Sequence, residues 1–380
     1  MDNYIFIIWN AARKYEDEII YDISKKFEIR EVFEVTWTNE FFLENMSRFY
    51  GPKLVDVKKK VEMCKKEPFL IIIVNDKNST YGKRRTSLGM ENVNINLFEF
   101  KKQLRKKYDV GYAIHNSFTR KETNDDLTLL FGKSYNDFFI SFPIKWDKKI
   151  KKCEKNLIGF NGWNNFSQMA YVLNSTINYV ILRNFDSISD NLENYSHNDI
   201  DILTDDFLKM PYITNGGKSA LNKFSDGFIK IHNNKIKLDI ANTKDNVYDV
   251  KWYKDILKNK ILQNGYYTPN LEDQFYTLIY HINYYQKPIT AEYQNKLLQI
   301  AKKLEIKCSN DPDRNEWIEI LFKFMRKKHY LKTTSINYKF KNNKLFRILR
   351  ISIFLWREHG AKFLIEAIKT KIQNIELKMI

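Results

Sequence analysis

Asp199 and Asp201 bracket Ile200 in the segment HNDIDILTDD. In a strand, residues two apart face the same side, so this spacing projects both carboxylates together while Ile200 and Ile202 face a core. Neighbouring carboxylates repel unless a cation lies between them. Oxygen-only donors select a hard divalent ion, so Mg²⁺ or Mn²⁺ is the expected cofactor. Asp239, between Leu238 and Ile240 in IKLDIAN, places a third carboxylate among core-facing neighbours on another expected strand. It is the candidate third ligand or base.

Three further groups could meet phosphate. Thr214–Lys223 contains Gly216-Gly217-Lys218-Ser219, but Tyr212 stands where a P-loop needs its first glycine, which excludes that motif. A GGKS turn before a helix still offers backbone N–H groups and an ammonium to an anion. Arg183 and Asn184 follow the short apolar strand Tyr179–Leu182, and a guanidinium binds phosphate bidentately. In the N-terminal half, Arg84, Arg85 and His115 form a further candidate anion site.

The elements that must position these groups read as an α/β (α+β) chain. Tyr4–Trp9, Ile29–Trp37 and Phe69–Val74 are expected strands, with a short one near Tyr112–His115. Glu16–Phe27, Asn39–Tyr50, Leu54–Cys64 and Ile95–Lys107 have helical periodicity. A basic stretch, Lys145–Lys155, interrupts the apolar pattern and is read as the first boundary. Asn164–Leu173 then reads as a helix, and Tyr179–Leu182 and Asp199–Leu203 as strands. Phe228–His232 and Lys235–Ile240 read as a hairpin turning at Asn233-Asn234. Helical periods follow at Trp252–Leu262, Leu271–Tyr285, Ala291–Leu304, Arg314–Lys328 and Lys344–Lys371. The expected organisation is an α/β domain at 1–145, a small mixed sheet at 156–270 and a helical region at 271–380.

A strand carrying Asp-x-Asp and a neighbouring strand carrying a third Asp resemble the nucleotidyltransferase fold superfamily. The resemblance implies that Asp199 and Asp201 hold metal on a nucleotide's phosphates, and that Asp239 completes the site or activates an acceptor hydroxyl. The superfamily's Gly-Ser pair, about ten residues before Asp-x-Asp, is replaced by Leu182-Arg183-Asn184 at a longer spacing. Within the superfamily the chain looks most like bacterial phosphotransferases of the choline-phosphate and fukutin-related type, over roughly Asn161 to Lys287. That likeness implies a nucleotide-activated donor, such as a CDP-linked one, and a sugar or glycolipid acceptor in capsule or lipopolysaccharide biosynthesis.

The N-terminal order of elements is similar to that of nucleoside diphosphate kinases, which implies a ferredoxin-like domain. His115-Asn116-Ser117 matches only the His and Ser of that family's Asn-x-x-His-Gly-Ser-Asp. Trp9-Asn10 replaces its expected lysine, and a long insert separates Arg84-Arg85 from His115.

Composition bounds the rest. The 380 residues carry 63 Lys plus Arg against 46 Asp plus Glu, a formal net charge of +17. The 43% hydrophobic content supplies a core, so global disorder is excluded. Cys64, Cys153 and Cys308 form no CxxC pair, which excludes a zinc ribbon or disulfide scaffold and fits a cytoplasmic protein. No stretch approaches the roughly 18–20 apolar residues of a membrane span. Leu331–Ile380 holds eleven Lys or Arg against three Glu, and such a basic helix suits the anionic inner face of a membrane.

The expected activity is metal-dependent transfer of a nucleotidyl or phospho-alcohol group to a hydroxyl. Two alternatives stay open: a nucleotidyltransferase that modifies tRNA or protein, and a scaffold with a degenerate domain. RNP motifs, zinc fingers, HExxH and GxSxG are absent from the sequence, which makes nucleic acid the lesser partner.

Overall fold

Phe69–Asp76 (FLIIIVND) is buried at every residue, as a strand covered on both faces must be. The computed structural model describes residues 2–86, 89–140, 145–190, 192, 195, 197, 199–216, 226–232, 234–242, 248–284 and 287–330. They fall into two units, within Met1–Asn164 plus Tyr212–Asn215 and within Asn165–Pro211 plus Gly216–Ile380.

The first unit begins with β1 (Asp2–Ile8), α1 (Glu16–Lys26), β2 (Glu28–Thr36), α2 (Phe42–Tyr50), α3 (Val57–Cys64) and β3, the Phe69–Asp76 strand. It continues with β4 (Tyr81–Thr86), β5 (Gly89–Asn94), α4 (Ile95–Lys107), β6 (Ile114–Asn116), α5 (Arg120–Phe131), α6 (Tyr135–Ile140) and β7 (Ile150–Glu154). One sheet has the order β6-β1-β3-β2-β7. Its first four strands are antiparallel and, counted without the β4–β5 hairpin, give the ferredoxin-like order 4-1-3-2. Trp9, Trp37, Phe42 and Phe69 interlock at the end of β1. Helix α4 starts where the sequence puts it because Asn94 accepts a hydrogen bond from the Leu97 amide at 3.2 Å.

Two features of this unit differ from expectation. Lys145–Lys155 contains β7, which pairs in parallel with β2 from Val32↔Ile150 to Thr36↔Glu154. The hairpin β4–β5 is unexpected, because YGKRRT and GMENVN lack an alternating apolar face.

The second unit contains α7 (Phe166–Thr176), β8 (Tyr179–Ile181) and β9 (Asp199–Thr204). After α8 (Met210–Thr214), at the boundary between the units, come β10 (Asp226–Ile231), β11 (Asn234–Asn242), α9 (Val250–Lys258), β12 (Ile261–Gln263) and β13 (Tyr266–Thr268). The described part ends with α10 (Leu271–Tyr284), α11 (Ala291–Lys303) and α12 (Arg314–Lys328). The main sheet has the order β10-β11-β9-β8 and is mixed: β9 and β11 run parallel and the other pairs antiparallel. Trp252, Phe275, Ile279, Leu297, Trp317 and Phe324 from α9 to α12 share one core.

Two local readings need correction. Ile231 pairs with Asn234, so Asn234 belongs to the second arm of the hairpin, and His232 lies at φ 51°. Helix α9 stops at Lys258 instead of reaching Leu262, and Asn264 and Gly265, both at positive φ, close the β12–β13 hairpin. The Lys344–Lys371 helix and the rest of Leu331–Ile380 lie outside the described residues. Among the described residues, no helix is long and apolar enough to cross a membrane.

Candidate functional site

Strand β9 alternates as its sequence requires: Ile200 and Ile202 are buried, and Asp199 and Asp201 are half-buried on the opposite face. Strand β11 has the same phase, with Ile236, Leu238 and Ile240 buried and Lys237 and Asp239 half-buried. The parallel ladder pairs Lys237 with Asp199 and Asp239 with Asp201. Direct partners point to the same side of a sheet. Three carboxylates and one ammonium therefore share a face.

Arg183 joins them from the end of β8. Its Nη2 lies 2.5 Å from Asp201 Oδ1, and both side chains are largely buried, 11% and 13% exposed. The Leu182 amide donates to the Asp201 carbonyl at 2.9 Å, which carries the β8–β9 ladder one residue further and sets Arg183 beside its partner. Asn184 then adopts a left-handed conformation, φ 57°, and turns the chain away. Its carbonyl accepts from Ser187 Oγ at 2.9 Å.

Burial pushes the Asp201 carboxyl above its ordinary pKa and Asp199 adds to the effect, while Arg183 and Lys237 oppose it. Tyr195 donates its hydroxyl to the Asp199 carbonyl at 2.8 Å, and its ring lies 5.3 Å from that of His197. Burial first, then the charges of Asp201 and Asp199, raise the Tyr195 pKa, so its hydroxyl stays protonated.

The donor set is all oxygen, the donor type a hard divalent cation takes, and one member is already compensated by the Arg183 guanidinium. Among the described residues, no three or more His, Cys, Asp or Glu side chains are gathered closely enough to hold a metal. The face carries the donors without closing them round one point.

Gly216 is the one member of the GGKS turn among the described residues; Gly217, Lys218 and Ser219 lie outside them. The Gly216 amide donates to the Pro211 carbonyl at 3.0 Å. Its own carbonyl packs on Gly227 of β10, where a Cβ would come within 2.6 Å of that oxygen. Gly227 neighbours the backbone pair Asp226↔Asp239, so the turn starts beside the strand position facing the third carboxylate.

In the first unit, His115 lies on β6 opposite Ile7. Tyr50 and Phe49 set their rings edge-on to it, at 5.2 and 6.1 Å. Burial pushes its pKa well below the usual range, and the charges of Lys101, Lys60, Arg105 and Lys53 reinforce the shift. These cations interlock. Lys60 Nζ donates to the Tyr112 carbonyl at 2.8 Å and lies 4.9 Å from the Tyr50 ring centre. Arg105 donates through Nε and Nη2 to the Ile114 carbonyl. Lys53 pairs with Glu122 at 3.3 Å, and Lys101 Nζ lies 4.5 Å over the Phe118 ring. Arg84 pairs with Glu99 at 3.0 Å, and Arg85 is exposed on β4. Sequence reading names His115 and misses Lys53, Lys60, Lys101 and Arg105, which come from separate elements. It also misses Lys237, whose alternation with Asp239 on β11 is the available signal.

No family model matches the chain, and no curated protein matches it.

Proposed function

We propose that the second unit is a metal-dependent transferase of the nucleotidyltransferase-fold type. On this reading it moves a nucleotidyl or phospho-alcohol group from a nucleotide-activated donor to a hydroxyl of a sugar or glycolipid. The observation that carries the reading is the parallel register that sets Asp239 beside Asp201, with Asp199 on the same face.

Asp199, Asp201 and Asp239 would hold a divalent cation, which when bound neutralises charge on the phosphates during transfer. Asp239 completes that set or serves as the base that takes the acceptor hydroxyl's proton. The acceptor oxygen forms its bond to phosphorus as the bond from phosphorus to the leaving phosphate oxygen breaks, and the leaving group keeps that electron pair. Arg183, Asn184 and Gly216, with Gly217, Lys218 and Ser219 outside the described residues, are the groups assigned to donor phosphates. The basic segment Leu331–Ile380 is assigned to an anionic membrane surface, where glycolipid acceptors are found.

Calorimetric titration with CTP, CDP, UTP, GTP and ATP, with and without Mg²⁺, tests the reading on wild type and an Asp199→Ala/Asp201→Ala variant. Mg²⁺-dependent binding that is selective for one base and lost in the variant is the expected result. No binding in either protein would sink the reading and leave a scaffold, for which the Arg183–Asp201 pair already balances charge. A second reading rests on the four cations around His115: a phosphate-bearing ligand binds in the first unit. Binding that survives in the variant would favour it.

A further inference from the structure

The basic stretch Lys145–Lys155 forms a turn followed by β7, and neither belongs to the sites described above. The turn is held in place. The Trp146 amide donates to the Ile29 carbonyl at 3.3 Å, and its indole Nε1 donates to the Lys149 carbonyl at 2.7 Å. The Lys149 amide donates to Asp147 Oδ1 at 2.9 Å, and Lys148 takes a positive φ of 66°. With its one polar atom satisfied inside the turn, the half-buried indole offers a ring surface for contact.

A cavity of about 710 Å³ is lined by this turn, by α1, by the start of β2 and by the end of β3. Trp146 lines it, as does Tyr21, which is 58% exposed with Lys25 Nζ 4.1 Å from its ring centre. Five lysines and three carboxylates share the lining. Two of the carboxylates are occupied: Glu28 pairs with Lys77 at 3.3 Å, and Asp76 accepts from Asn94 and Asn96 at 2.8 and 3.1 Å. Lys145 and Lys148, which flank Trp146 in the chain, are exposed. Asn75, 2% exposed, is also a lining residue, and among the described residues its buried Oδ1 accepts no hydrogen bond. A ligand N–H can supply that donor.

Two rings beside cations suit a nucleobase and its phosphate, because every base has a face to stack and every phosphate a charge to meet. The lysines do not stop at the cavity. Lys149 follows in the turn, and β7 is the outer strand of its sheet, with Lys151 and Lys152 exposed. A run of cations leading away from a ring-lined cavity favours an extended polyanion over a free nucleotide. A duplex keeps its bases stacked on one another, so the strand must be single.

We propose that this cavity and β7 bind single-stranded nucleic acid, with one base against Trp146 and Tyr21 and the neighbouring phosphates on Lys145, Lys148 and the lysines of β7. Asn75 pairs with Asn3 at one end of β1, and His115 pairs with Ile7 at the other, so the site is separate from the cations around His115.

The test is fluorescence anisotropy on the full chain with two labelled probes, an oligoadenylate decamer and an abasic ribose-phosphate decamer, and with AMP as competitor. The chain carries other basic segments that attract either strand, so the base-dependent part of binding locates the site. Wild type is expected to bind the oligoadenylate at least about fivefold more tightly than the abasic strand. Trp146→Ala is expected to lose that preference while keeping its affinity for the abasic strand. Tyr21→Ala is expected to reduce the preference as well; its position is exposed, so it decides the matter where Trp146→Ala does not fold. Lys145→Gln/Lys148→Gln is expected to weaken both strands and to flatten the slope of log affinity against log salt by about 1.4, at about 0.7 per phosphate contact. Equal binding of the two strands by wild type overturns the proposal and leaves a solvated charged face. A preference that survives in both aromatic variants overturns this location. AMP that competes at the decamer's own affinity overturns the strand and leaves a mononucleotide cavity. No binding of either probe by wild type overturns the proposal outright.

Discussion

Asp239 and Asp201 are direct partners in the parallel ladder of β11 and β9, on the face opposite the buried Leu238 and Ile202. Leu238 and Ile240 on one strand, and Ile200 and Ile202 on the other, go into the core, so the two carboxylates cannot separate without a register slip. A one-residue slip of β11 would turn Lys237 and Asp239 to the apolar side and Leu238 to the polar one, which sheet packing forbids.

Removing Asp201 should therefore cost more than its exposure suggests. Asp201→Ala leaves the Arg183 guanidinium largely buried without its carboxylate, a loss of about 3–5 kcal/mol for a buried pair. Urea unfolding of Asp201→Ala, Arg183→Met and the double variant measures it. The double variant should recover much of the loss, because the guanidinium is removed together with its carboxylate.

Asp273 gives the helical region a pH dependence. It is 4% exposed and accepts from Trp252 Nε1 at 3.1 Å and Asn270 Nδ2 at 2.9 Å. Burial, with Glu272 adding to it, pushes its pKa up to about 6. Because the folded-state pKa lies above the unfolded value, the folded chain binds more protons between about pH 4 and pH 6. This group's contribution to stability therefore falls as pH rises through that window, and its cost is fully present above about 6. Asp273→Asn keeps an acceptor for Trp252 and should shrink the difference between denaturation midpoints measured at about pH 5 and about pH 7.5. An unchanged difference would count against the burial argument.

Lys101 works in the opposite direction. It is 8% exposed, and burial with the nearby Arg105 pushes its pKa down to about 7. The folded chain then binds fewer protons than the unfolded one from about pH 7 to about 10.5, so this group's contribution rises with pH across that window. Lys101→Met should melt higher than wild type at about pH 6, with the gap closing toward about pH 9. Inorganic phosphate should raise the wild-type melting temperature at about pH 6 more than that of Lys101→Met, if the cations around His115 receive an anion.

Gly227 tests the packing of the Gly216 turn against β10. An alanine there places its Cβ 2.6 Å from the Gly216 carbonyl oxygen, a backbone atom with no side-chain freedom to yield. Overpacking of this kind costs about 1–3 kcal/mol. Gly227→Ala should lower the urea midpoint accordingly, and a wild-type midpoint would show that the turn shifts freely.

How much of this is legible in the sequence depends on where each feature's information lies. Phe69–Val74 and Arg314–Lys328 declare themselves because apolar content or periodicity is concentrated within one segment. Asp199 and Asp201 share a face by local spacing alone. Their relation to Asp239 depends on whether β11 runs parallel or antiparallel to β9, and at which register, and neither is encoded locally. The Arg183 pair and the cations around His115 are tertiary in the same sense. Strand β7 (IKKCE) hides because four of its five residues are exposed, leaving backbone pairing to β2 as its main tie. Asn264-Gly265, by contrast, is a readable hairpin signal that the surrounding helical pattern obscures.

The parallel pairing of β7 with β2 also bears on the order of events during synthesis. Val32 meets Ile150, far downstream in the chain. At about 5–20 residues per second, a nascent chain would wait on the order of ten seconds after β2 emerges before its outer neighbour exists. Through that interval β2 presents an open edge, able to pair with another strand. Its partner on the other side, β3, can already be in place. The ferredoxin-like sheet can thus form early and be sealed late, and the seal is a lysine-bearing strand whose charge discourages pairing with further copies.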